Sequence, residues 1–201
     1  MNQIATAERD CYEEMWGVTT YADKSYGVEY APIFASLAPL TLFPCGITLR
    51  PTVLDAGCGS GKGSLALKAL GYDVTMCDLT DAGLILEARS LPFFKSTLWE
   101  PITKRYAFGG AYDYVYGTDV MEHLPTAFVA LAITRMLAVA KRGVFFSVAL
   151  IPDHMGVWVG RPLHQTVQPF TWWRDLCREL GTVTDARDLM HTAILFVEPK
   201  R

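Results

Sequence analysis

Along the chain, short apolar runs alternate with longer stretches whose apolar residues recur every three or four positions. Residues 52–56 are a compact apolar run and predict a strand. Residues 64–70 follow with helical spacing, stopped by Gly71. Residues 73–78 alternate, with Val74 and Met76 on one face, and predict a second strand. A weaker strand is expected over 96–99 and another over 112–117. A helix should begin near Pro125 and run to about Lys141. Residues 143–150 are apolar almost throughout, as in a strand covered on both faces of a parallel sheet. Ahead of this region, helices are expected over 7–16 and 28–40, with a Tyr- and Gly-bearing turn between them. Residues 42–50, carrying Pro44 and Gly46, read as a loop. After it, 151–167 reads as a loop with Gly, Pro and His. Thr171 reads as the N-cap of a helix whose buried stripe is Trp173, Leu176, Cys177 and Leu180 and which Gly181 ends. Residues 181–190 and 191–198 can pair as a terminal antiparallel ribbon.

Strands alternating with helices predict an α/β chain: a Rossmann-like, doubly wound sheet, mostly parallel, with an antiparallel C-terminal strand. Right-handed crossovers fix most of its topology. A length of 201 residues suits one domain. Its parts are an N-terminal helical cover (1–50), a ligand-binding core (51–150), and a substrate-side loop with the C-terminal strands (151–201). With 51% hydrophobic and 19% charged residues the composition is globular. The formal charge is −3, and the basic residues are scattered in pairs such as Lys104-Arg105 and Lys141-Arg142. That balance weighs against long duplex nucleic acid, though not against a nucleotide or a short single strand. Five cysteines with no C-x-x-C pair read as reduced thiols. The opening MNQIATAERD lacks an apolar signal core, and the longest apolar tract, 127–140, is broken by Thr134 and Arg135. A cytoplasmic protein without a membrane partner is expected. Oligomeric state is left open by the sequence.

The stretch VLDAGCGSGKGSLALKALGYDVTMCDL, residues 53–79, carries the first candidate chemistry. A triphosphate loop, G-x-x-x-x-G-K-[ST], would need glycine at 56 and a hydroxyl at 63, where Ala56 and Gly63 stand. The dinucleotide spacing G-x-G-x-x-G fails at Lys62 when started from Gly57 and at Ser64 when started from Gly59. What the residues do spell is D-x-G-x-G-x-G: Asp55, Gly57, Gly59 and Gly61. Glycines directly after a buried strand let the backbone pass close to a ligand. This stretch resembles motif I of the class I S-adenosylmethionine (SAM)-dependent methyltransferases. The resemblance implies that the loop, with Cys58, lies against the methionine half of SAM and that Asp55 arranges the loop and the ligand's amino group. It implies also that Asp78, ending the second strand, accepts two hydrogen bonds from the ribose, a bidentate role suited to a carboxylate. Leu79, Thr118 and Asp119 fall beside the cofactor in the same scheme. Where the family often has an acid near the adenine, this chain has Ser96-Thr97-Leu98-Trp99-Glu100. Leu98 and Trp99 are either an apolar wall for the adenine or core residues.

A second constellation is Thr118-Asp119-Val120-Met121-Glu122-His123-Leu124, at the carboxyl edge of the sheet where α/β folds bind ligands. Asp119, Glu122 and His123 follow i, i+3, i+4 spacing, so one helical turn would bring all three to one side. Such a group serves general acid–base chemistry or a divalent ion. The pattern resembles the D/E-x-x-E-H of ubiquinone-biosynthesis O-methyltransferases and of small-RNA 3′-terminal 2′-O-methyltransferases. In the latter a downstream His completes a metal site, which makes His164 the fourth candidate ligand, for an ion such as Mg. Many small-molecule methyltransferases carry a similar Glu-His-Leu without metal, so both readings stand. His123, Glu122 and His164 are the catalytic candidates. His154 is either a pocket or a surface residue, Trp172 a pocket wall or core. Tyr12, Trp16 and Tyr21 are either a lid over the cofactor or ordinary packing. The expected activity is SAM-dependent methylation of an O or N atom on a small molecule or nucleotide. The alternatives are a terminal nucleotide of short RNA or DNA as acceptor, or a SAM-binding module without turnover.

Overall fold

In the computed structural model the described residues are 3–24, 27–42, 48–100 and 112–200. Seven strands form one sheet: β1 (Thr52–Ala56), β2 (Asp73–Asp78), β3 (Phe93–Lys95), β4 (Tyr112–Thr118), β5 (Ala140–Ala149), β6 (Gly181–Asp188) and β7 (Thr192–Pro199). Their spatial order is β3-β2-β1-β4-β5-β7-β6. All pairs from β3 to β5 are parallel, and β7 runs antiparallel to both β5 and β6. The order reverses between β1 and β4, so their carboxyl ends open a crevice, the switch point at which such sheets bind ligands. The α/β class and the antiparallel C-terminal strand are as the sequence predicts.

Helices α1 (Gln3–Met15), α2 (Thr19–Ala22), α3 (Ala31–Leu37), α4 (Lys62–Ala69), α5 (Thr126–Val139) and α6 (Phe170–Leu180) cover both faces. Successive strand residues point to opposite sides, which splits the core in two. Val53, Tyr114, Tyr116 and Phe145 pack under α3 and α4. Leu54, Val115, Val144 and Phe146 pack under α5 and α6, against Ile133, Met136, Trp173 and Cys177. The near-continuous apolar runs of β1, β4 and β5 follow from this double coverage.

Several expected boundaries move, each for a local reason. The third strand lies at Phe93–Lys95, not 96–99. It pairs with Met76–Asp78, and after the Ser96 N–H bonds the Asp78 carbonyl the chain leaves the sheet, carrying Leu98 and Trp99 into the interior. Thr171 does not cap α6, which starts at Phe170 after an extended Pro169 and has no side-chain cap bond. Helix α3 is shorter than expected, Ala31–Leu37, with a proline in its first turn and a non-helical Ala38 at its end. Part of the expected 42–50 loop is a ribbon, Thr41–Leu42 antiparallel to Thr48–Leu49. The rest of that loop, with Cys45, and the Lys104-Arg105 pair lie outside the described residues. Cys11, Cys58, Cys77 and Cys177 are free thiols. No described helix is long and apolar enough to cross a membrane.

Phe34 anchors α3: it is fully buried and meets the rings of Tyr72, Tyr114, Tyr116 and Phe145. Truncating it leaves a cavity in a packed aromatic cluster. Phe34→Ala is expected to lower stability by about 3–5 kcal/mol, read as a drop in the urea midpoint with unchanged slope.

Candidate functional site: two cavities meeting at the end of β4

The glycine loop is built by backbone bonds to β2. The N–H groups of Gly57 and Cys58 both donate to the Cys77 carbonyl, at 2.9 and 3.1 Å. Gly57 has φ +79°, and a Cβ there would lie 2.3 Å from Val120 Cγ2, so only glycine lets the 118–120 segment pack on the loop. The Gly59 N–H then donates to Asp78 Oδ2 at 2.8 Å, and the Leu79 N–H to Asp78 Oδ1 at 2.7 Å. The Thr80 backbone bonds the same carboxylate. Burial raises the Asp78 carboxyl above the usual range, opposed by these backbone bonds. Asp55 accepts the Ser64 hydroxyl, and burial pushes its carboxyl up to about 7.

Asp55, Gly57, Cys58, Gly59, Asp78 and Leu79 all line one cleft of about 900 Å³. Leu98, Trp99, Thr118 and Asp119 complete its far side. Gly61, expected among the ligand contacts, does not line the cleft. It sits at φ +77° where α4 begins, packed so closely that a Cβ would lie 2.5 Å from that of Ala88.

The acidic and His-bearing segment does not form the α-helical turn expected of it. Asp119 is left-handed, φ +49°, with its N–H held by the Ser147 carbonyl at 3.0 Å. Met121–His123 is a single 3₁₀ turn. Glu122 therefore points fully inside. Its backbone carbonyl accepts the N–H groups of Gln165 (2.8 Å) and Thr166 (2.9 Å), which draws the loop after β5 alongside. Asp153 steadies that loop by accepting the N–H groups of Gly156, Leu163 and His164. The result is that His164 meets His123 edge to face, ring centroids 4.7 Å apart. Side-chain atoms of Glu122, His123 and His164 able to bind a metal lie within 4.8 Å of one another. Asp119, the other residue expected in that set, stands outside it.

Glu122 Oε1 accepts the Ala149 N–H at 2.9 Å, while Oε2 is buried and has no partner among the described residues. Burial and the neighbouring Asp119 push the Glu122 carboxyl well above its ordinary value. His123 is driven down to about 3 by burial and then by His164, with the Leu163 backbone acting in the opposite sense. Its Nδ1 lies 2.6 Å from the Tyr12 hydroxyl. His164 Nδ1 lies 2.7 Å from the Ile151 carbonyl oxygen, which can only accept, so the proton of the neutral ring is on Nδ1 and Nε2 is bare.

A second cavity of about 740 Å³ contains Glu122, His164, His154 and Lys24. It shares Tyr21, Asp119 and His123 with the first. His154 thus faces a pocket, whereas Trp172 packs edge to face on Trp173 and lines neither cavity.

Helix α1 closes over the first cleft. Glu8 is buried, paired with Arg161 (2.6 Å) and accepting from Gln165 Nε2 (2.9 Å), which also donates to the His123 carbonyl. Glu13 accepts the Thr80 hydroxyl. Trp16 lies on Gly59 and Gly83, where added Cβ atoms would meet its ring at 3.1 and 2.4 Å. Tyr12, Trp16 and Tyr21 all line the first cleft. Glu8, Gly83, Asp153 and Gln165 were not among the sequence candidates. For Glu8, Gly83 and Gln165 the role comes from contacts tens of residues away, and for Asp153 from the folding of its own loop, which no local spacing marks.

Residues 29–193 match the family model described as a methyltransferase domain. No curated protein matches the chain. Among solved structures, a TehB-like SAM-dependent methyltransferase from Corynebacterium glutamicum aligns with TM-score 0.63 at 17% identity, over 97% of this chain and all of that one (100%). The PH0226 protein of Pyrococcus horikoshii gives 0.65 at 16%, over 85% and 88% of the two chains. Magnesium protoporphyrin IX methyltransferase of Synechocystis, solved with bound SAM, gives 0.57 at 20%, over 85% and 76%. At these identities the structural likeness speaks for the fold, and the family match spans most of the sequence. By family and by fold, the chain belongs to the class I SAM-dependent methyltransferases.

Proposed function

We propose that this chain transfers a methyl group from SAM to a hydroxyl of a small molecule. The observation that carries the reading is the meeting of two cavities at Asp119 and His123, one lined by the glycine loop and Asp78, the other presenting the bare Nε2 of His164. The first cleft fits SAM in its chemistry. Asp78 lines it with a carboxylate, the group suited to ribose hydroxyls. Asp55 places a carboxyl where the ligand's ammonium would need one, and Leu79, Leu98 and Trp99 supply an apolar wall for a base. The neighbour from Synechocystis, which holds SAM, supports the same assignment. When bound, SAM supplies an activated methyl on a sulfonium, so the protein's work is positioning and proton handling. His164 Nε2 is the group free to take the hydroxyl proton. The formal charge of the chain is −3, which favours a small molecule over a nucleic acid strand.

A divalent ion is the second reading, favoured by the buried, unpartnered Glu122 Oε2. Glu122, His123 and His164 would hold it, with Asp119 outside the group. Two imidazoles and a carboxylate suit Mn²⁺, Fe²⁺ or Zn²⁺ better than Mg²⁺. Such an ion would lower the pKa of a bound hydroxyl.

Calorimetry with SAM and its demethylated product, S-adenosylhomocysteine, tests the assignment. Both are expected to bind, and Asp78→Ala to weaken SAM by about tenfold or more, one ribose contact being worth about 1.4 kcal/mol. No heat with either ligand would refute it.

Asp55 sets a pH dependence. Below about 7 its carboxyl is protonated, and it must lose that proton to face a cationic ligand. SAM affinity should therefore rise as pH increases from 5 to 7, by at most about tenfold per unit, and then level off. Asp55→Asn should flatten the slope. For the metal, transfer that persists in excess EDTA is expected of the first reading. Loss in EDTA restored by Mn²⁺ selects the second.

A further inference from the structure

We propose that Asp119 is the residue that tells the methyl-bearing cofactor from its spent form. Its carboxylate meets the sulfonium of SAM where the two cavities join, and favours that cation over the neutral sulfur of S-adenosylhomocysteine. The inference rests on the SAM assignment above and goes beyond it, from where the ligand lies to which of its two forms is retained.

A methyl group has to pass from the first cleft to the second cavity, so the sulfur that carries it belongs where the two meet. Three of the described residues line both: Tyr21, Asp119 and His123. The ligand's own shape leads to the same place. Its sulfur joins the methionine half, assigned to the glycine loop and Asp55, to the ribose, assigned to Asp78. The segment that carries Asp119 packs on that loop, with Val120 so close to Gly57 that a Cβ there would lie 2.3 Å from it. Of the three shared residues, Asp119 alone is a carboxylate.

Its surroundings leave that charge uncompensated. Asp55, Asp78 and Asp153 each accept from a hydroxyl or a backbone N–H. Among the described residues the Asp119 carboxylate has no such donor and no ion-pair partner, and the neighbour that acts on it is another carboxylate, Glu29. A half-buried acid beside an acid is costly, and a cation relieves the cost. The backbone holds the group in place. Its φ is +49°, a left-handed conformation uncommon outside glycine. The N–H donates to the carbonyl (3.0 Å) and to the hydroxyl (3.2 Å) of the fully buried Ser147. Strained backbone of this kind persists where the structure around it fixes it, and it gathers at functional sites.

During transfer the acceptor's lone pair forms the new O–CH₃ bond. The S–CH₃ bond breaks with its electrons left on sulfur, and the hydroxyl proton goes to the base assigned above. The ligand thereby loses the one positive charge that Asp119 attracts. The ammonium opposite Asp55 and the ribose opposite Asp78 are the same before and after. Asp119 therefore strengthens the hold on SAM alone, which lets the product leave and limits its competition with fresh cofactor.

The test is calorimetry of the full chain with three ligands: SAM, S-adenosylhomocysteine, and sinefungin, in which a primary ammonium group replaces the methylsulfonium. It is run at about pH 8, above the value of about 7 to which burial pushes this carboxyl up. Asp119→Asn removes the charge, keeps the shape and suits the left-handed backbone. SAM and sinefungin should each bind about tenfold or more weaker to it, with S-adenosylhomocysteine unchanged. Asp119→Gly, which adopts that backbone without strain, should give the same pattern. Asp55→Asn, which faces an ammonium common to all three ligands, should weaken the three together. An equal loss of all three ligands in both Asp119 variants, or no loss of any, would overturn the proposal. Failure of the unaltered protein to bind any of the three would strike the SAM assignment instead, so the two failures are distinct.

Discussion

The hydrogen bond from the Gly59 N–H to Asp78 is the constraint on which the site depends. It ties the turn after β1 to the end of β2, and so converts two neighbouring strand ends into one wall of a cleft. With the Gly57 and Cys58 N–H bonds to the Cys77 carbonyl, it holds the left-handed glycines in this register. The same carboxylate takes the Leu79 N–H, so its orientation is set by two donors before any ligand arrives. Pre-setting of this kind removes part of the ordering cost of binding. It also explains why Asp78 can be buried: a carboxylate in the interior is tolerable only when its oxygens are satisfied.

On the other side of the cleft the logic is opposite. Glu122 is deep inside with one oxygen satisfied by Ala149 and the other not. A group left so keeps its proton or takes a ligand, and either outcome places chemical potential next to His123 and His164. The loop that brings His164 there is fastened three times, through the Glu122 carbonyl, through Asp153 and through Glu8. Three separate fastenings for one exposed segment mark the residues they align as the reason for the segment's shape.

How much of this was legible in the chain differs by kind of signal. β1 and β2 were readable to the residue, because a short apolar run beside glycines and an alternating run ending in Asp have few other interpretations. Asp55 and Gly57 belong to the D-x-G-x-G-x-G pattern, since local spacing determines the turn, and Asp78 was marked by its place at the end of the second strand. Gly61 shared the pattern yet faces Ala88, because spacing cannot tell a glycine needed by a ligand from one needed by a neighbouring side chain. The i, i+3, i+4 reading of Asp119, Glu122 and His123 assumed an α-helical turn. The 3₁₀ turn that forms sends Glu122 inward and leaves Asp119 apart. Gly83 and Gln165 carried no signal at all, as each matters only through Trp16 or Glu8, and those contacts are a product of the tertiary fold.

Helix α1 has only 13 residues, a length at which a helix in water is marginal by itself. Its order is borrowed from Gly59, Gly83 and Thr80 on one flank and from Arg161, Gln165 and His123 on the other. The free energy of folding this segment is therefore shared by the two halves of the cleft. Whatever occupies either half shifts the coil–helix balance, and by thermodynamic reciprocity that shift is felt at the other half. The two halves are in this way coupled through thirteen residues of backbone.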